Sequence, residues 1–140
     1  MNNNGYYINV DGIKTIIPHD STYLNLSYEN LVEIVCNSKL KTLFCHHNQL
    51  TTLTLNNKLE FLDCANNKLI ELILNDKLKI LYCGNNKLKK IICNDNLMYL
   101  YCFNNKLNTL ICNNKLKELY CNIDTKLINI NNNTNIIIYD

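Results

Sequence analysis

The sequence predicts a repeat solenoid, in which short coils of chain stack around a shared core. Equivalent residues recur every 19 positions, most clearly in the column Cys45, Cys64, Cys83, Cys102 and Cys121. Two leucine columns keep the same period: Leu24, Leu43, Leu62, Leu81, Leu100 and Leu119, and Leu31, Leu50, Leu69, Leu88 and Leu107. A fixed short period is typical of stacked units. Because one such unit is too small to bury its own apolar side, we expect the core to lie between neighbouring coils.

The repeat can be written L-x-x-L-x-C-x-x-N-x-L-x-x-L-x-C-x-x-x, with Leu40 at position 1 of its second copy. Six copies fit the chain, at residues 21–39, 40–58, 59–77, 78–96, 97–115 and 116–135, the last with one extra residue before Leu127. The predicted organisation is therefore an N-terminal cap at 1–20, six repeats at 21–135 and a partial strand at 136–140.

Around positions 3–7 the apolar residues alternate with outward ones, as in Leu81, Tyr82 and Cys83. This period of two indicates a half-buried strand, and stacking the coils makes a parallel sheet. Positions 1, 4, 6, 11, 14 and 16 should fill the interior. Positions 14–16, such as Ile91-Ile92-Cys93, are rich in Ile and predict a second short strand on the back.

The third copy places Leu59, Leu62, Cys64, Asn67 and Leu69 in the pattern L-x-x-L-x-C-x-x-N-x-L. In this the chain resembles leucine-rich repeat proteins, and the resemblance covers roughly residues 21–135. It implies a concave parallel sheet that holds a protein partner. A 19-residue repeat is shorter than is usual for the family, which leaves no room for a convex α-helix. The expected form is that of the short bacterial-type repeats, with an extended or β convex side.

Both ends of the chain carry strand signals. Residues 6–10 and 13–17 flank Asp11-Gly12, which predicts a β-hairpin over the first coil. At the other end the 19-residue register puts Ile136 and Tyr139 at positions 1 and 4 of a further coil. That segment is expected to be a short strand with an open edge.

Asparagine forms a column at position 9, namely Asn48, Asn67, Asn86 and Asn105. An Asn side chain donates and accepts hydrogen bonds at once, so the column is expected to satisfy backbone groups where the strand turns inward. Asn pairs at positions 17–18, such as Asn56-Asn57, suit turns, including left-handed conformations.

The eight cysteines stand where other repeats have Leu, as Leu26, Leu55 and Leu74 show. A residue that alternates with Leu behaves as a small buried hydrophobe. We therefore expect free thiols and a cytoplasmic protein, the alternatives being disulfides or metal ligation. The 14 basic residues are all Lys, which together with abundant Asn and Ile suggests an AT-rich genome. A net charge of +2 predicts neither a nucleic-acid nor a membrane partner.

No sequence pattern predicts an enzyme or a cofactor. There is no Gly-rich phosphate loop, G-x-S-x-G or H-E-x-x-H. The best local metal candidate is Cys45-His46-His47, but an inward Cys and two residues leaving the strand are not expected to converge on one ion. Lysine columns at positions 10 and 19 are interpreted as solvated turn residues: Lys68, Lys87 and Lys106, and Lys39, Lys58, Lys77 and Lys115.

The outward positions 3 and 5 of the main sheet hold seven aromatic residues, in a chain with nine Tyr and three Phe. One interpretation is strand propensity, because aromatic rings suit a pleated surface. The other is a binding face, since Tyr supplies large contact area at low entropic cost. The residues predicted to bind a partner are Phe44, Phe61, Tyr82, Tyr99, Tyr101, Phe103 and Tyr120.

The sequence thus predicts a non-enzymatic module that binds another protein through this face. Two alternatives stay open. One is a homo-oligomer assembled through the open C-terminal strand, and the other is an enzyme or metal protein centred on Cys45-His46-His47.

Overall fold

The computed structural model describes residues 4–139, which form a β-solenoid of stacked coils. Its strands recur at the predicted 19-residue spacing, and no helix occurs among the described residues. The predicted fold class is therefore confirmed: parallel strands on one side, a short β back and an N-terminal hairpin.

Fourteen strands lie within residues 4–139. They are β1 (Gly5–Asn9), β2 (Lys14–Ile17), β3 (Tyr23–Asn25), β4 (Leu31–Val35), β5 (Thr42–Phe44), β6 (Thr52–Thr54), β7 (Phe61–Asp63), β8 (Ile80–Tyr82), β9 (Lys90–Ile92), β10 (Tyr99–Tyr101), β11 (Thr109–Ile111), β12 (Glu118–Asn122), β13 (Lys126–Ile128) and β14 (Asn135–Tyr139).

The front sheet has seven parallel strands in the order β3-β5-β7-β8-β10-β12-β14. From β3 to β12 each residue pairs with the one 19 positions later, as Leu81 pairs with Leu100. The last step is two residues shorter, because Ile136 lies opposite Leu119 on the front and Leu127 lies opposite Leu110 on the back. The sixth copy therefore lacks two residues before Leu127, and the predicted extra residue there was wrong. Ile136 thus occupies position 4 rather than position 1, and Tyr139 lies opposite Asn122 at position 7. The register given by the sequence alone was wrong at this end.

The N-terminal hairpin continues the back of the solenoid. Its turn includes Gly12 at a φ of 77°, a conformation that glycine adopts without steric cost. Strand β1 pairs antiparallel with both β2 and β4, and Ile17 is buried in the core. A Cβ atom at Gly5 would overlap the backbone of Val35 and Asn37, so only glycine allows this close docking.

The back as a whole, with the hairpin included, consists of two separate sheets. The first sheet has the order β2-β1-β4-β6 and the second β9-β11-β13. The predicted second strand is thus present in most coils, but not in the third. There residues 70–74 form no strand, and no backbone hydrogen bond joins them to β6 or β9 among the described residues. Ile73 in this stretch is 83% exposed.

The core follows the predicted inward positions. Leu40, Leu43, Cys45 and Leu50 of the second coil are fully buried, whereas Leu53 and Leu55, at positions 14 and 16, are only half-buried. Among the eight cysteines, all but Cys36 are buried, and all eight are free thiols. A thiol packed in this way acts as an apolar side chain of intermediate size, which explains its alternation with Leu.

Candidate functional site

The front sheet carries a continuous aromatic ladder, defined by Phe44, Phe61, Tyr82, Tyr101 and Tyr120. Successive ring centroids are 4.8, 5.8, 4.4 and 4.3 Å apart. The register of the parallel strands places Tyr82, Tyr101 and Tyr120 side by side on one face. Phe61 lies two residues out of this register and contacts Phe44 and Tyr82 diagonally on the same face. Five of the seven predicted site residues are therefore brought together.

The other two predicted residues lie beside the ladder. Phe103 covers Gly84, where a Cβ atom would lie 2.9 Å from its ring, and stacks on Tyr139 with centroids 4.7 Å apart. Tyr99 is half-buried on the same face, and no ring contact to it occurs within residues 4–139. Both side chains extend the face sideways rather than lengthen the ladder.

Two further rings extend the ladder at its ends. Tyr23 lies 5.9 Å from Phe44 and is 59% exposed. Tyr139 lies 6.0 Å from Tyr120. The sequence register assigned Tyr139 to another position, so its place on this face was missed. Tyr139 lies at position 7, outside the position-5 column of Tyr82, Tyr101 and Tyr120, because the last coil is two residues shorter.

The three tyrosines of the ladder stack on one another and present ring edges rather than open ring faces. Tyr101 lies between Tyr82 and Tyr120 at interplanar angles of 28° and 18°, so both of its faces are covered. The five ladder rings are accordingly half-buried. This mutual packing contributes to stability, as the strand-propensity interpretation expects, and it leaves a firm row of edges for contact with another molecule.

The polar part of this face is the contact between Tyr101 and Glu118. The Tyr101 hydroxyl donates a hydrogen bond of 2.5 Å to Glu118 Oε2. This bond to a carboxylate raises the pKa of Tyr101 above its ordinary value, with further increases from burial and from Tyr82. Burial also raises the pKa of Tyr120, followed by the charge of Glu118.

We expect Glu118→Gln to lower the pKa of Tyr101 towards that of a free tyrosine, because an amide oxygen favours the protonated phenol less than a carboxylate does. A titration of phenolate absorbance across alkaline pH would show Tyr101 ionising at a lower pH in this variant than in the native chain. Tyr101→Phe identifies that step by removing it. An unchanged titration in Glu118→Gln would contradict the assignment. The Tyr101 phenol holds its proton more tightly in the folded chain than in the unfolded chain. The contact therefore stabilises the fold while the phenol is protonated, and its contribution to the free energy of unfolding falls as the pH rises above about 10.

Two asparagine ladders fix the coils that carry the face. At position 9, Asn86 donates to the carbonyl oxygens of Cys64 and Cys83 at 3.0 and 3.1 Å, and its Oδ1 accepts from Leu69 N–H at 3.0 Å. Asn48, Asn67 and Asn105 make the corresponding bonds. The prediction that this column satisfies backbone groups is confirmed. Each bond set also joins one coil to the coil before it.

The second ladder lies at position 17 and was predicted only as turn residues. Asn94 donates to Asn75 O at 2.5 Å and to Leu78 O at 3.0 Å, and Asn37, Asn56 and Asn113 bond in the same way. Asn75, in the third coil, makes only the first of these two bonds among the described residues. The left-handed residues occur mostly at position 8, as at Asn66, Asn85 and Asn104, and not at positions 17–18.

The histidine pair lies at one end of the front sheet. His46 Nδ1 and His47 Nδ1 are 2.9 Å apart, and Tyr28 stacks on His47 with centroids 4.5 Å apart. Cys45 points into the core and is fully buried, so its sulfur does not join the two imidazoles. Within residues 4–139 no group of three or more His, Cys, Asp or Glu side chains is arranged to hold a metal ion.

The lysines of both predicted columns are exposed to solvent. Lys68 Nζ donates to Gln49 Oε1 of the preceding coil at 2.9 Å. The columns lie on the turns that flank the front sheet, so they form polar borders to the aromatic face.

Fold and site together define a helix-free β-solenoid with an aromatic front sheet. No family model matches the chain, and no curated protein or solved structure matches it significantly. Across residues 4–139 the structure offers no helix with the length and apolar character needed to cross a membrane.

Proposed function

We propose that this protein is a non-enzymatic module that binds a protein partner through the aromatic ladder and the adjoining Tyr99 and Phe103. The observation that supports the proposal is the unbroken contact of five rings across neighbouring coils. Aromatic clusters with a polar border are typical of protein-binding surfaces, in which Tyr residues often supply much of the affinity.

Rigid presentation is the proposed mechanism. The two asparagine ladders fix each coil against the one before it, so the rings are held in place before a partner arrives. A preorganised surface loses little conformational freedom on binding, which favours affinity from a small contact area. The proposal includes membership of the leucine-rich repeat class and a cytoplasmic location, which free buried thiols favour.

The test is a pull-down that compares the native chain with Tyr82→Ala/Tyr101→Ala/Tyr120→Ala. A matched control, Ile70→Ala/Ile73→Ala, removes exposed apolar side chains from the back. Circular dichroism and thermal unfolding must first show that both variants are folded. We expect the native chain and the Ile70→Ala/Ile73→Ala variant to capture a partner that the triple Tyr variant does not capture. Capture of the same partner in equal amount by the native chain and the triple Tyr variant would overturn the proposal.

A second candidate function is self-association through β14. Ile136 and Ile138 are 38% and 46% exposed, although Leu119 and Cys121, their counterparts on β12, are fully buried. The outer edge of β14 pairs with no strand within residues 4–139. An open edge beside exposed apolar side chains favours pairing with a second copy. Light scattering tests self-association, because a chain that stays monomeric at high concentration does not pair through β14.

A further inference from the structure

Cys93 and Cys112 form a pair of thiols on the back of the solenoid. They occupy position 16 of neighbouring coils, directly after β9 and β11, which pair in register. The backbone is joined here, since Cys93 N–H donates to Ile111 O at 2.9 Å. Neighbouring parallel strands lie about 4.8 Å apart, within the Cα separation of about 4.4–6.8 Å that disulfides span.

This pair differs from the cysteine column of the front sheet in its access to solvent. Cys45, Cys64, Cys83, Cys102 and Cys121 are fully buried. Cys93 is 8% exposed and lies on the wall of a groove of about 410 Å³ between the third and fourth coils. The groove exists because residues 70–74 do not pair with β9. A small oxidant can therefore enter at Cys93 and reach Cys112, which is hydrogen-bonded to Cys93 and is 4% exposed, whereas the interior column is shielded.

Cys112 also differs from the other seven thiols in its proton affinity. Burial raises the pKa of Cys45, Cys64, Cys83, Cys102 and Cys121, and that of Cys36 to about 12. Cys112 alone among the eight has a lowered pKa, because the Cys93 thiol hydrogen-bonds to it. Cys93 keeps its proton more tightly for the same reason. The thiolate is the reactive form, so Cys112 is the more nucleophilic member.

We propose that Cys93 and Cys112 are a peroxide-oxidised pair that forms a reversible disulfide between the fourth and fifth coils. The Cys112 thiolate attacks one oxygen of hydrogen peroxide, the O–O bond breaks, and hydroxide leaves with a sulfenic acid on Cys112. The Cys93 sulfur then attacks the Cys112 sulfur, and the S–O bond breaks as the hydroxyl leaves as water with a proton. Two thiols and one peroxide thus give one disulfide and two waters.

The test exposes the folded native chain to a small excess of hydrogen peroxide and maps its disulfides by non-reducing peptide mass spectrometry. We expect loss of two of the eight thiols, a single Cys93–Cys112 linkage, and full recovery of thiols with dithiothreitol. The linkage closes a short loop, so the oxidised chain should also unfold at a higher temperature than the reduced chain.

Two single substitutions make the result specific. Cys93→Ser, which keeps a hydrogen-bond donor beside Cys112, should yield no disulfide and leave a sulfenic acid on Cys112 that dimedone traps. Cys36→Ala changes the other position-16 cysteine, whose neighbour is Leu55, and should leave the Cys93–Cys112 linkage intact. Retention of all thiols, a linkage within the front column, or any disulfide in Cys93→Ser would each overturn the proposal. The pair lies on the back, so this outcome is independent of the partner-binding test.

Discussion

Replacing Asn86 with alanine is expected to lower the free energy of unfolding by about 2–4 kcal/mol, since it leaves several backbone groups of the core without partners. Its Nδ2 donates to two carbonyls and its Oδ1 accepts from the buried Leu69, so one side chain serves three backbone groups. Alanine supplies neither a donor nor an acceptor, and water has poor access because Asn86 is buried. Urea unfolding followed by circular dichroism measures the loss.

Asn57→Ala is the matched control for this substitution. Asn57 is exposed and its side chain forms no hydrogen bond among the described residues, so a change within about 0.5 kcal/mol is expected. Asn86→Asp adds a second comparison. At neutral pH its carboxylate would face two carbonyl oxygens and destabilise the coil, whereas a protonated carboxyl at acidic pH can donate one bond. Equal stability of Asn57→Ala and Asn86→Ala would refute the structural role of this ladder.

Leu81→Ala is expected to destabilise the chain by about 2–5 kcal/mol, because it opens a cavity at the centre of the core. Leu81 is fully buried between Leu62 and Leu100, its in-register neighbours on β7 and β10. Both neighbours belong to strands fixed by backbone hydrogen bonds, so the site has little freedom to collapse. Thermal and urea unfolding give the size of the effect.

Ile73→Ala removes a similar apolar side chain from a site that is 83% exposed. Little burial is lost there, so the change should stay within about 0.5 kcal/mol. If Leu81→Ala lowered the free energy of unfolding no more than Ile73→Ala does, the central coils would not be packed as described.

The periodic features of this protein could be predicted from the sequence. The Leu and Cys columns identified the inward positions, and alternation around Tyr82 identified the front strands. The Asn column at position 9 predicted backbone bonding where the strand turns inward. These predictions succeeded because stacking places each residue beside the residue 19 positions away, so a column in the sequence is a column in space.

The candidate site was predicted only in part. Five of its rings follow from positions 3 and 5 of the repeat. The addition of Tyr139 required the true register of β14, which the shortened last coil changed. The Asn ladder at position 17 was overlooked because asparagine in a turn has the same pattern whether or not its side chain bonds the preceding coil.

The sequence by itself determined the coil length, the inward columns and the outward aromatic face, because each of these repeats with the chain. Only the tertiary structure decided the departures from the period. Leu72-Ile73-Leu74 has the same apolar spacing as Leu110-Ile111-Cys112, but the first forms no strand, whereas Leu110 and Ile111 of the second belong to β11. Strand pairing depends on the position of the neighbouring backbone as well as on side-chain pattern. That position leaves Cys93 8% exposed at the groove, while the cysteines of the front column are fully buried.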